Sequence, residues 1–243
     1  MAECSICIVP NYEVALDDGV WIEDGSTIKG DSVYLAATSS VWDVLCNELS
    51  GSGRVRGAVT MPLDIPVWET LIEVFPSEFN PAKNKRSNVN VGSHQTETLF
   101  PGEKRYYDVT VGSHAKLFLD PGDDVPGIFH FNKLILGSHA SLICLGPSEI
   151  RIKEQLVSVG AKSSYLGPAE GADLNSTDVV IYVAGSSPAV MLGQGNRIRA
   201  NLFAKNGSFV SGEGGILTGS FIARDITIGQ KSIVNYNGVL PEP

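Results

Sequence analysis

The sequence is poor in basic charge, cysteine, histidine and long apolar runs. Lys and Arg number 18 against 27 Asp and Glu, for a net charge of −9 over 243 residues. The basic residues are scattered, and Lys83-Asn84-Lys85-Arg86 is their only cluster. A surface that tracks phosphates needs clustered Lys and Arg, so nucleic acid is excluded as a partner. No apolar run reaches the ~18 residues of a membrane span, so no transmembrane segment is expected. Met1-Ala2-Glu3-Cys4 carries no basic stretch followed by an apolar one. The start therefore reads either as that of a cytoplasmic protein or as one whose leader precedes this sequence. Four cysteines, at 4, 7, 46 and 144, do not make a disulfide framework. Cys4-x-x-Cys7 has no second Cys pair or Cys/His set at zinc spacing. In an exported chain, Cys4 or Cys7 is placed to pair with Cys46. The plainer reading is four partly buried thiols.

Apolar residues make up 43% of the chain and glycine 26 of its residues, so core material is ample and glycine is in excess. The glycines repeat. Val91-Gly92-Ser93-His94, Val111-Gly112-Ser113-His114 and Leu136-Gly137-Ser138-His139 are near copies. Val159-Gly160, Leu192-Gly193, Ser211-Gly212 and Ile228-Gly229 continue the series. The intervals are 20, 25, 23, 33, 19 and 17 residues, one unit with loops of different length. Short alternating runs flank each glycine, such as Asp108-Val109-Thr110-Val111 and Ala115-Lys116-Leu117-Phe118-Leu119. Period-two alternation is strand patterning. A unit this short buries its inner face only by stacking on its neighbours.

The expected fold is all-β, a single-stranded parallel β-helix (β-solenoid) with a Pro-rich, partly helical connector. Glycine at each corner is expected to supply φ > 0. Residues 1–60 read as degenerate N-terminal coils. Within them, Val41, Val44, Leu45 and Leu49 stand at helical spacing and allow a short helix over Ser40–Leu49. Residues 61–86 carry Pro62, Pro66, Pro76 and Pro81 and read as a connector packed on the solenoid. One or two helical turns over Val67–Phe75 fit there, since Trp68, Leu71, Ile72 and Phe75 are too apolar for water. Residues 87–243 form the main solenoid. Val109, Val111, Leu117, Leu119, Leu134, Leu136, Leu142, Cys144, Ile150 and Ile152 are its expected core.

From Asp108 to Asn237 the sequence resembles glycine-punctuated parallel β-helix repeat domains of bacterial exported proteins. The VTVGS…L.L.PG…F..L.LGS.A.L..LGP run carries the likeness. DVVIYVAGS at 178–186, NLFAKNGS at 201–208 and LTGSFIARDITIG at 217–229 extend it. Residues Ala2–Cys7 and Ser50–Gly53 look like the N-terminal half of such proteins. The last third is also similar to the polymer-forming bactofilin β-helix. The resemblance implies pilus-associated or cell-surface proteins, an extracellular location and no assigned catalytic residues. Histidine at 94, 114 and 139 departs from the small residue such domains carry.

Those three histidines hold the same place in three consecutive units. In a solenoid they stack about 5 Å apart, a spacing open to a shared divalent metal or to stacking alone. Protonation of neighbouring rings would set like charges in register. His94, His114 and His139 are therefore the candidate metal residues. No catalytic residue and no cofactor is expected. Carboxylates cluster at Asp17-Asp18, Glu23-Asp24 and Asp120–Asp124, where turn aspartates are the plain reading, with calcium or glycoside chemistry as alternatives. A strict six-residue acyltransferase beat, a G-x-S-x-G elbow and an HExxH are all missing.

The function expected is a non-catalytic structural β-solenoid of a cell surface, pilus or extracellular filament. Self-association end to end is open to it, with Cys4–Pro10 and Ile226–Val239 as joining elements. The alternatives are a monomeric adhesin or glycan-binding module and, further off, a polysaccharide-active β-helix enzyme.

Overall fold

The computed structural model describes residues 6–8, 13–62, 76–81, 87–101, 106–123, 125–159, 163–186 and 188–235. Every strand pairing among them is parallel. The strands form a 15-stranded and a 10-stranded sheet. Four strands turn a corner within the larger sheet: Gly127–Leu136, Ser148–Ser158, Asn201–Ser211 and Phe221–Ile228. In Gly127–Leu136 the register with the next coil shifts between Phe131 and Lys133, and the strand passes from one face to the next there. The cross-section thus has three faces, and the chain is a parallel β-solenoid.

The inner column of the first face runs Val89, Val109, Leu134, Leu156, Val190, Phe209, Ile226, Val14, Val33 and Leu49. That of the second face starts at Glu97 and continues through Leu117, Leu142, Leu166, Ile198, Leu217, Val234 and Ile22, with Val41 over Val55 at its far end. The third runs Phe129, Ile150, Ile181, Leu202 and Phe221 and, across the backbone pairing of Ile6–Ile8, on to Ile28, Val44 and Val59. Nine inter-coil steps of ~4.8 Å make a stack about 43 Å long. All ten residues expected in the core are buried.

The coils do not stack in chain order. The C-terminal strand Phe221–Ile228 pairs with the N-terminal strands Ile6–Ile8 and Glu13–Leu16. Ile233–Asn235 pairs with Trp21–Ile22. The Asp17 amide donates to the Ile228 carbonyl at 3.0 Å, and the Lys231 amide donates to the Asp18 carbonyl at 3.0 Å. Residues 13–60 therefore extend the same stack beyond the last coil of 87–235. The segments proposed as intermolecular joints are an internal junction instead: the apolar strands they contribute satisfy each other's hydrogen bonds within one chain.

Between Pro62 and Ser87 the chain must return from one end of the stack to the other. The described part of this connector, 76–81, sits on the third face. Arg151 donates from Nη1 to the Glu78 carbonyl at 3.2 Å, and the Asn80 amide donates to His130 Nδ1 at 3.1 Å. On the rungs beyond, Tyr182, Phe203 and Ile222 point outward by alternation and are nonetheless buried. The helical turns expected over Val67–Phe75 lie outside the described residues.

Two local expectations are corrected. Ser40–Leu49 is not helical but holds the strands Ser40–Val41 and Asp43–Leu45 and the start of Glu48–Gly51. A triangular coil turns its chain every few residues, so inward side chains recur at 41, 44 and 49 and imitate a helical period. Second, the repeat glycines do not supply the positive φ. That falls two residues later, on His94, His114, His139, Gly195, Gly214 and Lys231. Gly112, Gly137, Gly212 and Gly229 are required by close approach of the adjacent coil, whereas a Cβ on Gly92, in the terminal coil, would meet only the Gln95 side chain. A Cβ on Gly137 would stand 2.9 Å from the Ser113 amide nitrogen and 3.0 Å from the Val111 carbonyl oxygen. On Gly229 it would stand 2.7 Å from the Gly212 carbonyl carbon.

Candidate functional site

The corner between the first and second faces has a four-residue logic: glycine, a polar residue, a left-handed residue and a small buried one. The buried place holds Ala115, Ala140, Ser164, Asn196, Gly215 and Ser232 in successive coils. Asn196 is the largest of these, and its polar atoms are matched. Its Oδ1 accepts from the Ser164 amide at 3.1 Å and the Ser158 hydroxyl at 2.9 Å, and its Nδ2 donates to the Gly193 carbonyl at 2.6 Å.

The left-handed place selects Gly, Asn, Asp or His over branched residues. Three coils use histidine there, with φ of 61°, 58° and 56° at His94, His114 and His139. The structure brings the three together as the repeat predicts. Ring centroids lie 5.0 Å apart for His94–His114 and 4.6 Å for His114–His139, with interplanar angles of 2° and 22°. The rings are exposed and stacked face to face, so their nitrogens lie in near-parallel planes. Among the described residues no group of three or more His, Cys, Asp or Glu is arranged to hold a metal ion.

One member of each carboxylate cluster, Asp18, Asp24 and Asp120, makes a turn or inter-coil tie. Asp120 Oδ1 accepts from the Gly122 amide at 3.0 Å. Asp18 Oδ1 accepts from the Thr38 amide and hydroxyl at 3.2 and 3.1 Å, stitching one corner to the next. Asp124 lies outside the described residues. Cys46 and Cys144 are buried free thiols, so Cys46 makes no disulfide; Cys4 lies outside the described residues. Burial pushes the Cys144 thiol up to about 12, with a lesser opposing effect from the Ser148 hydrogen bond. Burial, then the charge of Asp31, raises that of Cys46.

Two features escape the sequence reading. The first is an outward row on the first face, Ile135, Val157, Met191 and Val210, bracketed by Thr110 and Thr227. Its signal is the polar half of each strand's alternation turning apolar in four consecutive coils. The second is a clamp on the last coil. The Arg56 guanidinium lies 5.0 Å from the Trp21 ring and 5.7 Å from the Trp42 ring. It also donates to the Asp24 carboxylate and the Ile22 carbonyl. Trp21, Trp42 and Arg56 are too far apart in sequence for spacing to reveal them.

The two ends of the stack differ. At the Val89 end, the terminal coil's Val91 and Leu99 are 1% and 3% exposed. There Glu97 occupies the core column above Leu117. At the other end, no residue from 47 to 62 is buried. Leu49 and Val55 are half-buried, and Val59 and Met61 are 42% and 52% exposed.

The pairing and the three columns define the chain as a parallel β-solenoid. No family model matches it, and no curated protein matches it. Among solved structures it is similar to a glycosylated ice-binding protein (LeIBP) from Arctic yeast. The two are 15% identical, the match covers 96% of this chain and 94% of that one, and the TM-score is 0.37. A second structure, titled for the structural basis of the antifreeze activity of that ice-binding protein, is 14% identical. It covers 96% of this chain and 93% of its own, with a TM-score of 0.37.

Proposed function

We propose that the protein is a non-catalytic structural β-solenoid, a rigid rod serving a cell surface, pilus or extracellular filament. The observation that carries this reading is the use made of its reactive groups. Buried Cys46 and Cys144 are locked in the core, and Tyr106 and Tyr182 are buried. One carboxylate of each cluster, Asp18, Asp24 and Asp120, is engaged in a turn or an inter-coil tie. What faces solvent is a regular lattice of strand residues, a histidine ladder and an apolar row, all of which suit contact better than turnover. The adhesin alternative needs exposed aromatics in rows, and burial of Tyr106 and Tyr182 removes two of the four tyrosines considered for one.

Two assays test the proposal. A membrane-impermeant label applied to intact source cells is expected to modify the protein. Purified protein is expected to release no reducing ends from a panel of acidic polysaccharides. Reproducible release, abolished by removal of a carboxylate, overturns the non-catalytic reading. Protection from the label until the cells are lysed overturns the surface assignment.

A further inference from the structure

The contrast between the two ends of the stack decides how such a rod associates. A solenoid end exposes unpaired backbone N–H and C=O groups together with the rims of its core columns, which is a template for edge pairing. The Val89 end is blunted. Its core-column valines and leucine are buried, and Glu97 stands where the neighbouring coil has Leu117. Stacking another coil there would enclose a carboxylate beside the column below it, which is costly without a cation.

The Val59 end has the opposite character. Leu49, Val55 and Val59 continue the three columns, register with the fully buried Val33, Val41 and Val44, and are themselves uncovered among the described residues. The coil is nevertheless ordered: Arg56 is held by two tryptophans and by Asp24. Residues 47–62 carry one acid, Glu48, and two bases, Arg54 and Arg56, of which Arg56 is paired with Asp24. In a chain of net charge −9, this end is the place where a second copy approaches without repulsion.

We infer that two copies associate through their Val59 ends, edge to edge about a two-fold axis, into a closed dimer. One open end and one blunted end exclude the heterologous head-to-tail contact that builds a fibre. An isologous contact between like ends closes at two. A two-fold across the Ser52–Gly53 corner lays the strand holding Glu48 over the second copy's strand holding Arg54. The Leu49 column of one copy then meets the Val55 column of the other, and the Val59 columns meet each other, apolar on apolar. The inference rests on the structural reading above and names its partner, a second copy of this chain.

Sedimentation of the full chain over a concentration series tests it. The mass is expected to rise from 25.9 kDa to twice that value and stop. Small-angle scattering of the dimer is expected to give a longest dimension about twice that of the monomer, as end-to-end pairing of ~43 Å rods requires. Val59→Lys is expected to raise the dimer dissociation constant at least about tenfold. Thr110→Lys, on an outer face one coil in from the blunted end, is expected to leave it unchanged. A monomer at every concentration, growth past the dimer, or a dimer no longer than the monomer overturns the inference. So does a folded Val59→Lys chain that dimerises normally. If Val59→Lys does not fold, the scattering dimension decides. None of these outcomes touches the non-catalytic reading, which stands or falls on turnover.

Discussion

At the scale of the residue, the repeat divides its labour between two positions that the sequence makes look like one. Gly137 is there because the next coil's backbone passes within 3.0 Å of where its Cβ would be. His114 is there because its place is left-handed. Gly137→Ala is therefore expected to cost about 1–3 kcal/mol by overpacking. His114→Gly is expected to be tolerated, and His114→Val to cost about 1–2 kcal/mol relative to it. Urea titrations of the three variants check the order; an innocuous Gly137→Ala would sink the close-approach account. The glycines were legible as a repeat but not in their role, because spacing does not distinguish a bend from a contact. Titration supplies a second residue-scale expectation. Burial lifts Cys144 from 9.0 and Tyr182 from 10.0, each to about 12, with the charge of Glu149 adding to the rise at Tyr182. Both keep their protons in the native chain after the unfolded chain has lost them. The native state then binds more protons, and stability falls as pH rises, from about 9 to 12 through Cys144 and from about 10 to 12 through Tyr182. Below that window the contribution is fully present. Urea midpoints at pH 8, 9.5 and 11 are expected to descend, and a flat series would refute the burial argument.

At the scale of the element, coils in the middle of the stack have a partner on both sides and the last coil has one. Strands in the middle are fixed by register with both neighbours, as Lys133–Leu136 is between Asp108–Val111 and Gln155–Ser158. The coil over residues 47–60 leans on its single neighbour and on Arg56. Arg56→Ala is expected to lower the opening free energy of Ser52–Gly57 by about 1–2 kcal/mol, the sum of a cation–π contact and an ion pair whose carboxylate faces solvent. Native-state hydrogen exchange is the readout. Faster exchange confined to this coil, with 109–158 unchanged, supports the clamp, and unaltered rates in 52–57 refute it. The sequence hid this element because Val41, Val44 and Leu49 mimic a helix. Only the corners between them, at Trp42 and Cys46-Asn47, break the period, and neither carries turn chemistry of the Asp-Gly or Asn-Gly kind. Strands such as Lys116–Leu119 and Ser141–Cys144 were plain by contrast, since strict alternation put Leu117, Leu119, Leu142 and Cys144 inward.

At the scale of the whole molecule, stack order is the property that local patterning carries least. An apolar column accepts any apolar coil above it, so Val14 sits over Ile226 as comfortably as Leu134 over Val109. Nothing in the alternation of either strand records which comes next. What decides the order is pairing along the entire rim, and it places the strand Ile233–Asn235 beside Trp21–Ile22 and Ile6–Ile8 beside Phe221–Ile228. The consequence is a strong expectation about connectivity. In the adjacent coil the passage from second to third face takes two residues: Gly219-Ser220 link Ile216–Thr218 to Phe221–Ile228. Asn235 and Ile6 stand in the same relation one coil further on. A circular permutant that joins them through a linker of about two to four residues, and is opened within 63–75, then runs in stack order from 76 through 235 to 6 and on to 62. Its coils contact the same neighbours throughout. It is expected to fold and to melt within a few degrees of the parent, the modest change that a shortened surface connection makes. Circular dichroism melts and the masses of both proteins provide the comparison. A permutant that stays unfolded, while a control opened at 63–75 without the new link behaves as two associating fragments, would show that 6–62 needs the connector rather than the C-terminal coil to find its place.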